Sequence, residues 1–499
     1  MKLSYTLLLY VFVGLLTAFR IYYIIAGYYA LAPDEAYFWQ WSRHMDWSYY
    51  DMGPMVAWII ALFTKIFGHT ELGVRFGAVI LSTGVSLIVY RLALEMFGSS
   101  AVAFTTVFLM NIIPIGAAGS FIMTYYSPQV FLWSLSLFFL HRAISTGKGG
   151  WWYGLGISMG LGVLSHHLFF VLSAQVALYL LLSREGRPWL ARKEPYLAGI
   201  IALDLFLPVL FWNIEHDMVM FRHATGLMAG DRPALMVFLE FIGGQLGVIS
   251  PFVCLATFWA ILVSAYRGFW IKDDRWLFLF LTSAPLLIFI GSLSLGRRVE
   301  ANWPVSAYVS GMVALSALFH LREKRRMWQS IYAGISVATA LFVTSVGHFP
   351  SLLTSLYDLP PRLDTSNRLY GWRELGRRLS EIRREMPWSF LASLDYGIAS
   401  EMAFYTEGHP QTYCPPVGRR QSQYDYFEDI NHQKGRDALY VTVNPTMEPQ
   451  VQALFDRISP PEELVVYKRS APPPVVRRVF YIFRCYGFKG TGREGLHTY

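Results

Sequence analysis

The sequence predicts a polytopic α-helical membrane protein of about eleven spans with a soluble α/β domain at its C-terminal end. Three observations predict it. Of 499 residues, 54% are hydrophobic and only 15% charged, whereas soluble domains carry about one quarter charged residues. Apolar stretches of about 17–25 residues recur along the first 350 positions, each long enough to cross a bilayer. After about 350 the pattern turns into short strand-like runs and amphipathic helices.

The spans are expected at about 5–27, 72–90, 101–118, 128–143, 151–165, 167–183, 196–214, 242–265, 276–294, 302–319 and 329–347. The first follows Lys2 and runs apolar from Leu3 to Ala32, beyond the 7–15-residue core of a secretion signal, so it reads as an uncleaved helix. The stretch 151–183 is too long for one ordinary span and is broken at Gly160, Gly162 and His166-His167, which divides it in two. Residues 53–68, GPMVAWIIALFTKIFG, are apolar but short and follow a Gly-Pro break, which suits an interfacial or re-entrant helix.

Net charge is +8. Arg and Lys collect in alternate short loops (Arg91; Arg142 and Lys148; Arg184 to Lys193; Arg267 to Arg275; Arg322 to Arg326) and outnumber those on the other side about two to one. This positive-inside bias places the N-terminus in the cytoplasm and the first loop outside. The basic loops face lipid headgroups, so no nucleic-acid partner is implied. An odd span count puts the C-terminal part outside too. The division is therefore 1–349 as a transmembrane domain, with its first external loop at 28–71, and 350–499 as an extracytoplasmic α/β domain.

In that last part WRELGRRLSEIRREMP has helical charge spacing, SFLASL, ALYVTV, ELVVYK and VVRRVFYIF read as strands, and YGIASEMAFY reads as a helix between the first two. Cys254 lies in an apolar run. Cys414 and Cys485 are a candidate disulfide pair if this part is exported.

The chemistry-bearing stretch is PDEAYFWQWSRHMDWSYYDMGP at 33–54. Its rings, Tyr37, Phe38, Trp39, Trp41, Trp47, Tyr49 and Tyr50, are of the type that sits at headgroup depth. Asp34, Glu35 and Asp51 would then lie at the membrane surface, within reach of a lipid headgroup. Pro-Asp-Glu is also a helix-start signal, so capping is the alternative role for Asp34. Partly desolvated carboxylates have raised pKa values and serve as bases.

PDEAYFWQWS, YYDMGPMVAWIIALFTKIFG and ELGVRFGAV resemble the first external loop of GT-C glycosyltransferases, in the branch of bacterial proteins related to protein O-mannosyltransferases and the lipid A aminoarabinose transferase. LPVLFWNIEHDMVMFRH, GRRVEANWPVSAY and RLDTSNRLYGWREL are similar to later segments of that branch, in order, so the resemblance spans most of the chain. It implies a GT-C fold in a bacterial inner membrane with a periplasmic C-terminal domain. It implies transfer of a sugar from a polyprenyl-phosphate donor to a glycolipid such as lipid A, another glycan or a protein. Asp34 stands where the family has its proposed base, which takes the acceptor's proton as the carrier phosphate leaves with inversion. Glu35 and Asp51 stand beside it.

The leaving phosphate needs positive charge, from Arg, Lys or a divalent cation. Arg75, at the start of the second span, matches a family Arg; Arg297 and Arg298 precede Asn302-Trp303-Pro304 in a short external loop. With Tyr50, Asn302 and His167 these are the expected substrate contacts. Metal ligands are not assigned; Glu215, His216 and Asp217 have no recognised metal spacing and read as a solvated loop. Two departures stand out: Met52 replaces a frequent basic residue, and Tyr126 replaces a frequent Asp. No glycine-rich nucleotide loop occurs. The rival class, a transporter or lipid flippase, would keep its charges inside the spans; Arg20 and Asp204 are the residues that raise it.

Overall fold

The computed structural model describes residues 4–226, 233–296, 299–321, 326–349, 352, 365–468 and 475–491. The chain divides into two compact units, one of Met1–Tyr22, Met52–Val56 and Phe76–His348, the other of Tyr23–Asp51, Ala57–Arg75 and Phe349–Tyr499. One boundary between the units falls at His348 and Phe349. The acid-bearing first loop, however, groups with the C-terminal stretch.

In the first unit, helices follow the apolar runs because a chain in hydrocarbon must close its backbone hydrogen bonds within each segment. In order they are α1 (Tyr5–Ile25), α2 (Pro33–Arg43), α3 (Met55–Phe67), α4 (Glu71–Phe97), α5 (Ser100–Ile112), α6 (Pro114–Ala118), α7 (Tyr126–Thr146), α8 (Gly150–Val163), α9 (Phe169–Leu182), α10 (Glu194–Glu215), α11 (Val219–Gly226), α12 (Ala234–Ile249), α13 (Pro251–Phe269), α14 (Asp274–Leu281), α15 (Ala284–Leu293), α16 (Ala307–His320) and α17 (Met327–His348); α2 and most of α3 belong to the second unit. Among the described residues, six segments are long and apolar enough to cross a membrane: α1, α4, α10, α13, α14 with α15, and α17. Shorter apolar helices are α3, α5, α9 and α12.

Three expected spans are interrupted, among them the run at 276–294, where Thr282 and Ser283 part α14 from α15. The run at 242–265 is two helices, because Pro251 removes a donor and Ser250 turns to φ +79°. The run at 101–118 breaks before Pro114. The stretch 53–68 does form a short helix, α3.

Small residues let the helices close up. A Cβ on Gly156 of α8 would lie 2.6 Å from the carbonyl oxygen of Ala198 in α10, and one on Gly160 would lie 2.8 Å from Leu205 Cβ. Arg20 of α1 is only 3% exposed. Its Nη2 donates to Asn111 Oδ1 at 2.6 Å and its Nη1 to Ser82 Oγ at 3.3 Å, so neutral acceptors on neighbouring helices hold it. Asp204 is exposed on α10.

The second unit contains a mixed sheet. Its strands are β1 (Phe390–Ala392), β2 (Thr412–Tyr413), β3 (Ala438–Thr442), β4 (Phe455–Ile458), β5 (Glu462–Lys468) and β6 (Val475–Phe488), with helices α18 (Trp372–Glu385) and α19 (Tyr396–Tyr405). The order is β2-β1-β3-β6-β4, with β5 also on β6. β1 is parallel to β2 and β3, and β6 runs antiparallel to its partners, with Tyr440 opposite Phe483. The four expected strands and both helices occur. β2 and β4 were not expected; two and four residues carry too little alternation to read.

The β1–α19–β2 path is a parallel crossover, which needs a helix to return the chain to the same end of the sheet. Phe390, Tyr413, Tyr440, Phe455, Phe483 and Phe488 fill one face of the sheet. Cys414 and Cys485 are buried free thiols, not a disulfide. Cys414 directly follows β2, and β1 and β3 separate that strand from the β6 that carries Cys485. Three strand spacings are roughly 14 Å, about twice the Cα separation a disulfide tolerates.

Candidate active site

The site is built on α2, in the second unit. Pro33 fits the first helical position, where an N–H is not needed. Capping is done by Glu35, whose Oε2 accepts the backbone N–H of Ala32 at 2.9 Å. Asp34 is therefore released from the capping role.

Glu35 is wholly buried and faces Arg75, itself 2% exposed. Arg75 Nη2 lies 2.6 Å from Glu35 Oε2, its Nε 2.9 Å from Oε1, and its remaining donors reach the carbonyls of Tyr29 and Ala30. A second clamp lies nearby in the fold. Glu71 accepts from Arg373 Nη2 at 2.6 Å and from the Tyr405 hydroxyl at 2.6 Å, and that hydroxyl in turn accepts the N–H of Leu31 at 2.8 Å. Arg373 also donates to the carbonyls of Gly27 and Tyr29. The turn into α2 is thus tied at residues 27, 29, 30, 31 and 32.

The outer face of α2 meets α19 and the segment after β2. Gln40 Nε2 reaches Thr412 Oγ1 at 3.3 Å, and the Trp39 ring packs edge-on to Phe404 at 4.9 Å. Tyr37 is central. Its hydroxyl donates to Asp51 Oδ2 at 2.8 Å and accepts the N–H of Gln423 at 2.6 Å. Its ring lies 4.5 Å from that of Tyr396 and stacks on Tyr424 at 6.2 Å. Tyr50 is fully buried; its N–H donates to Gln423 Oε1 at 2.6 Å and its ring contacts Tyr426 at 6.0 Å.

Asp34 is exposed, and the Tyr396 hydroxyl donates to its Oδ1 at 3.4 Å. It is nevertheless ringed by protein atoms, so desolvation dominates and raises its pKa; the Tyr396 hydrogen bond and Arg368 oppose this, while Glu35 and Asp395 add to it. Burial likewise pushes Asp51 up to about 6, against the pull of Tyr37 and of Arg420. Arg420 is exposed and acts on Tyr396 as well. Its loop is held by Arg419, whose Nη1 donates to Asp425 Oδ2 at 2.9 Å and whose Nη2 donates to the carbonyl of Cys414 at 2.6 Å.

Beneath α2, Glu401 of α19 is 1% exposed, and neither carboxyl oxygen has a hydrogen-bond partner among the described residues. Burial, then the charge of Glu35, pushes its pKa well above the ordinary 4.5, which favours its neutral form.

Asp34, Glu35, Asp51, Tyr50 and Arg75 are therefore brought into one unit. Asn302 and His167 belong to the other. Asn302 is half-buried ahead of a 3₁₀ turn at Trp303–Ser306. The His167 ring lies 4.2 Å from that of His166, which faces Tyr125 at 5.0 Å. Arg297 and Arg298 lie outside the described residues. Among the described residues, no three His, Cys, Asp or Glu side chains converge to hold a metal. Tyr396, Gln423 and Arg420 were not singled out by sequence, and no local signal links them to α2.

A set of long apolar helices, together with an acid-bearing loop and a mixed sheet, defines a multi-pass helical membrane protein. Residues 51–212 match the family described as dolichyl-phosphate-mannose-protein mannosyltransferase. The chain is 25% identical over 405 residues to the lipid A galacturonosyltransferase RgtD of Rhizobium johnstonii, covering 79% of this chain and 81% of that protein. It is 28% identical over 214 residues to an undecaprenyl phosphate-α-4-amino-4-deoxy-L-arabinose arabinosyl transferase of Pseudomonas savastanoi, covering 39% of this chain and 40% of that one. The crystal structure of ArnT from Cupriavidus metallidurans bound to undecaprenyl phosphate superposes with a TM-score of 0.62 at 15% identity, over 95% of this chain and 98% of that one. The oligosaccharyltransferase of Archaeoglobus fulgidus superposes with a TM-score of 0.50 at 14% identity, over 86% and 69%. In sequence and in fold the chain is thus similar to glycosyltransferases of the GT-C type.

Proposed function

We propose that the protein transfers a sugar from a polyprenyl-phosphate carrier to an acceptor on the outer side of a bacterial inner membrane, with a glycolipid of the lipid A class as the acceptor. The shorter apolar helices would complete the membrane domain, and the α/β part would lie in the periplasm. The observation that carries the reading is the state of Asp34. It is exposed and free of the helix-capping role, while Glu35 beside it is bound up with Arg75.

In this reading the acceptor hydroxyl gives its proton to an Asp34 oxygen as its own oxygen bonds to the anomeric carbon. The bond from that carbon to the carrier phosphate breaks on the opposite face, its electron pair leaves with the phosphate, and configuration inverts. A general base so placed contributes about 10²–10⁴-fold. We read Glu35 and Arg75 as positioning groups, since each is the other's partner. Charge on the departing phosphate would be met by Arg420, an exposed guanidinium acting on Asp51 and Tyr396, with Arg297 and Arg298 as further candidates.

Purified protein in lipid vesicles, given undecaprenyl-phosphate-linked galacturonate or aminoarabinose and lipid A, is expected to yield sugar-modified lipid A by mass. Asp34→Asn is expected to fold and lose the product. Wild-type product formation by Asp34→Asn removes the base assignment.

A further inference from the structure

We propose that Tyr396, from the α/β part of the chain, is a positioning residue for Asp34: its phenol orients the carboxylate and holds it in the ionised, proton-accepting state. The inference rests on the reading of Asp34 as the base and assigns that base a partner.

The placement is built by the fold. Tyr396 is the first residue of α19, directly after Asp395, whose Oδ1 accepts the N–H of Ile398 at 3.0 Å and so starts that helix. The start of α2 comes against it at Gly397, where an added Cβ would lie 2.8 Å from Pro33 Cβ. No side chain fits between the two helix starts. The Tyr396 hydroxyl then falls 3.4 Å from Asp34 Oδ1, and its ring leans at 4.5 Å on Tyr37, whose own hydroxyl holds Asp51 at 2.8 Å. Two touching phenols thus each serve one of the two loop acids.

A phenol can only donate to a carboxylate in this geometry, so the contact favours the charged form. The other charged groups acting on Asp34 are Glu35 on its own helix, Asp51 after it, and Arg368 and Asp395 from the C-terminal stretch. Three of those four are acids that disfavour its ionisation. Without the phenol, Asp34 would stay protonated to higher pH and would be a base less often.

The test reads Asp34 directly by infrared titration of its carboxyl band, isolated as the difference from Asp34→Asn, with no substrate present. Tyr396→Phe is expected to move the midpoint up by roughly half a pH unit or more. Incorporating 3-fluorotyrosine at 396, a stronger donor with the same shape, is expected to move it down, and serves if the Phe variant folds poorly. Equal midpoints in the wild type and in the variants that fold overturn the proposal. Failure of the underlying reading shows separately, as sugar transfer by Asp34→Asn at the wild-type rate; in that case the titration shift can stand while the base assignment falls.

Discussion

Glu35 and Arg75 form a wholly buried, two-pronged ion pair, with Nη2–Oε2 at 2.6 Å and Nε–Oε1 at 2.9 Å. Adjacent in sequence to Glu35, Asp34 is exposed and meets the Tyr396 hydroxyl instead. One step along α2 thus separates a structural acid from a candidate catalytic one.

Removing one partner of that pair strands a buried charge. Glu35→Ala is expected to cost about 3–5 kcal/mol, seen as a lowered melting temperature in detergent. The double variant Glu35→Leu with Arg75→Met is expected to melt above either single variant. A double variant no better than the singles would show that the pair's own desolvation is not the issue.

Asp51 is pushed up to about 6, from an ordinary value of 3.8, chiefly by burial. The folded state then binds more protons than the unfolded chain between those two values. Its contribution to stability is full below pH 3.8 and is lost as pH rises through about 6. Asp51→Asn is expected to raise the melting temperature relative to wild type at pH 7–8, with the gain shrinking below about pH 4. A gain that is flat across this range would contradict the sign.

Glu401 follows the same sign. Its pKa lies well above 4.5, so its stabilising protonated form weakens as pH rises. Glu401→Gln keeps the shape and stays neutral, and is expected to gain in melting temperature over wild type as pH rises. Glu401→Lys is expected to lower the melting temperature strongly, since it puts an ammonium where a 1% exposed side chain stands.

Arg420→Ala is expected to lower kcat/KM for the lipid-linked donor roughly ten- to a hundredfold, the range for a lost hydrogen bond to a charged group, with the melting temperature unchanged. A wild-type kcat/KM would exclude Arg420 from the donor's phosphate.

Much of the helical unit was legible because the instruction is local: an apolar run of bilayer length has few structures open to it other than a helix. Where the reading slipped, the cause was also local but finer. Ser250-Pro251 splits one expected span, and the two-residue β2 leaves no pattern. Asp34 and Asp51 stood out from composition alone, as acids at an apolar boundary. Their partners did not. Tyr396 lies 362 positions from Asp34, and Gln423 lies 386 from Tyr37.

By itself the sequence determined that this is a multi-pass helical membrane protein, which loop carries its acids, and that an α/β sheet follows. Only the tertiary structure decided that Glu35 and Arg75 neutralise each other, that Cys414 and Cys485 stay apart, and that Tyr396 and Tyr37 divide the two acids between them. The reason is range. Hydrophobic period and turn chemistry act over a few residues, whereas an ion pair or a phenol–carboxylate contact depends on where distant segments are packed.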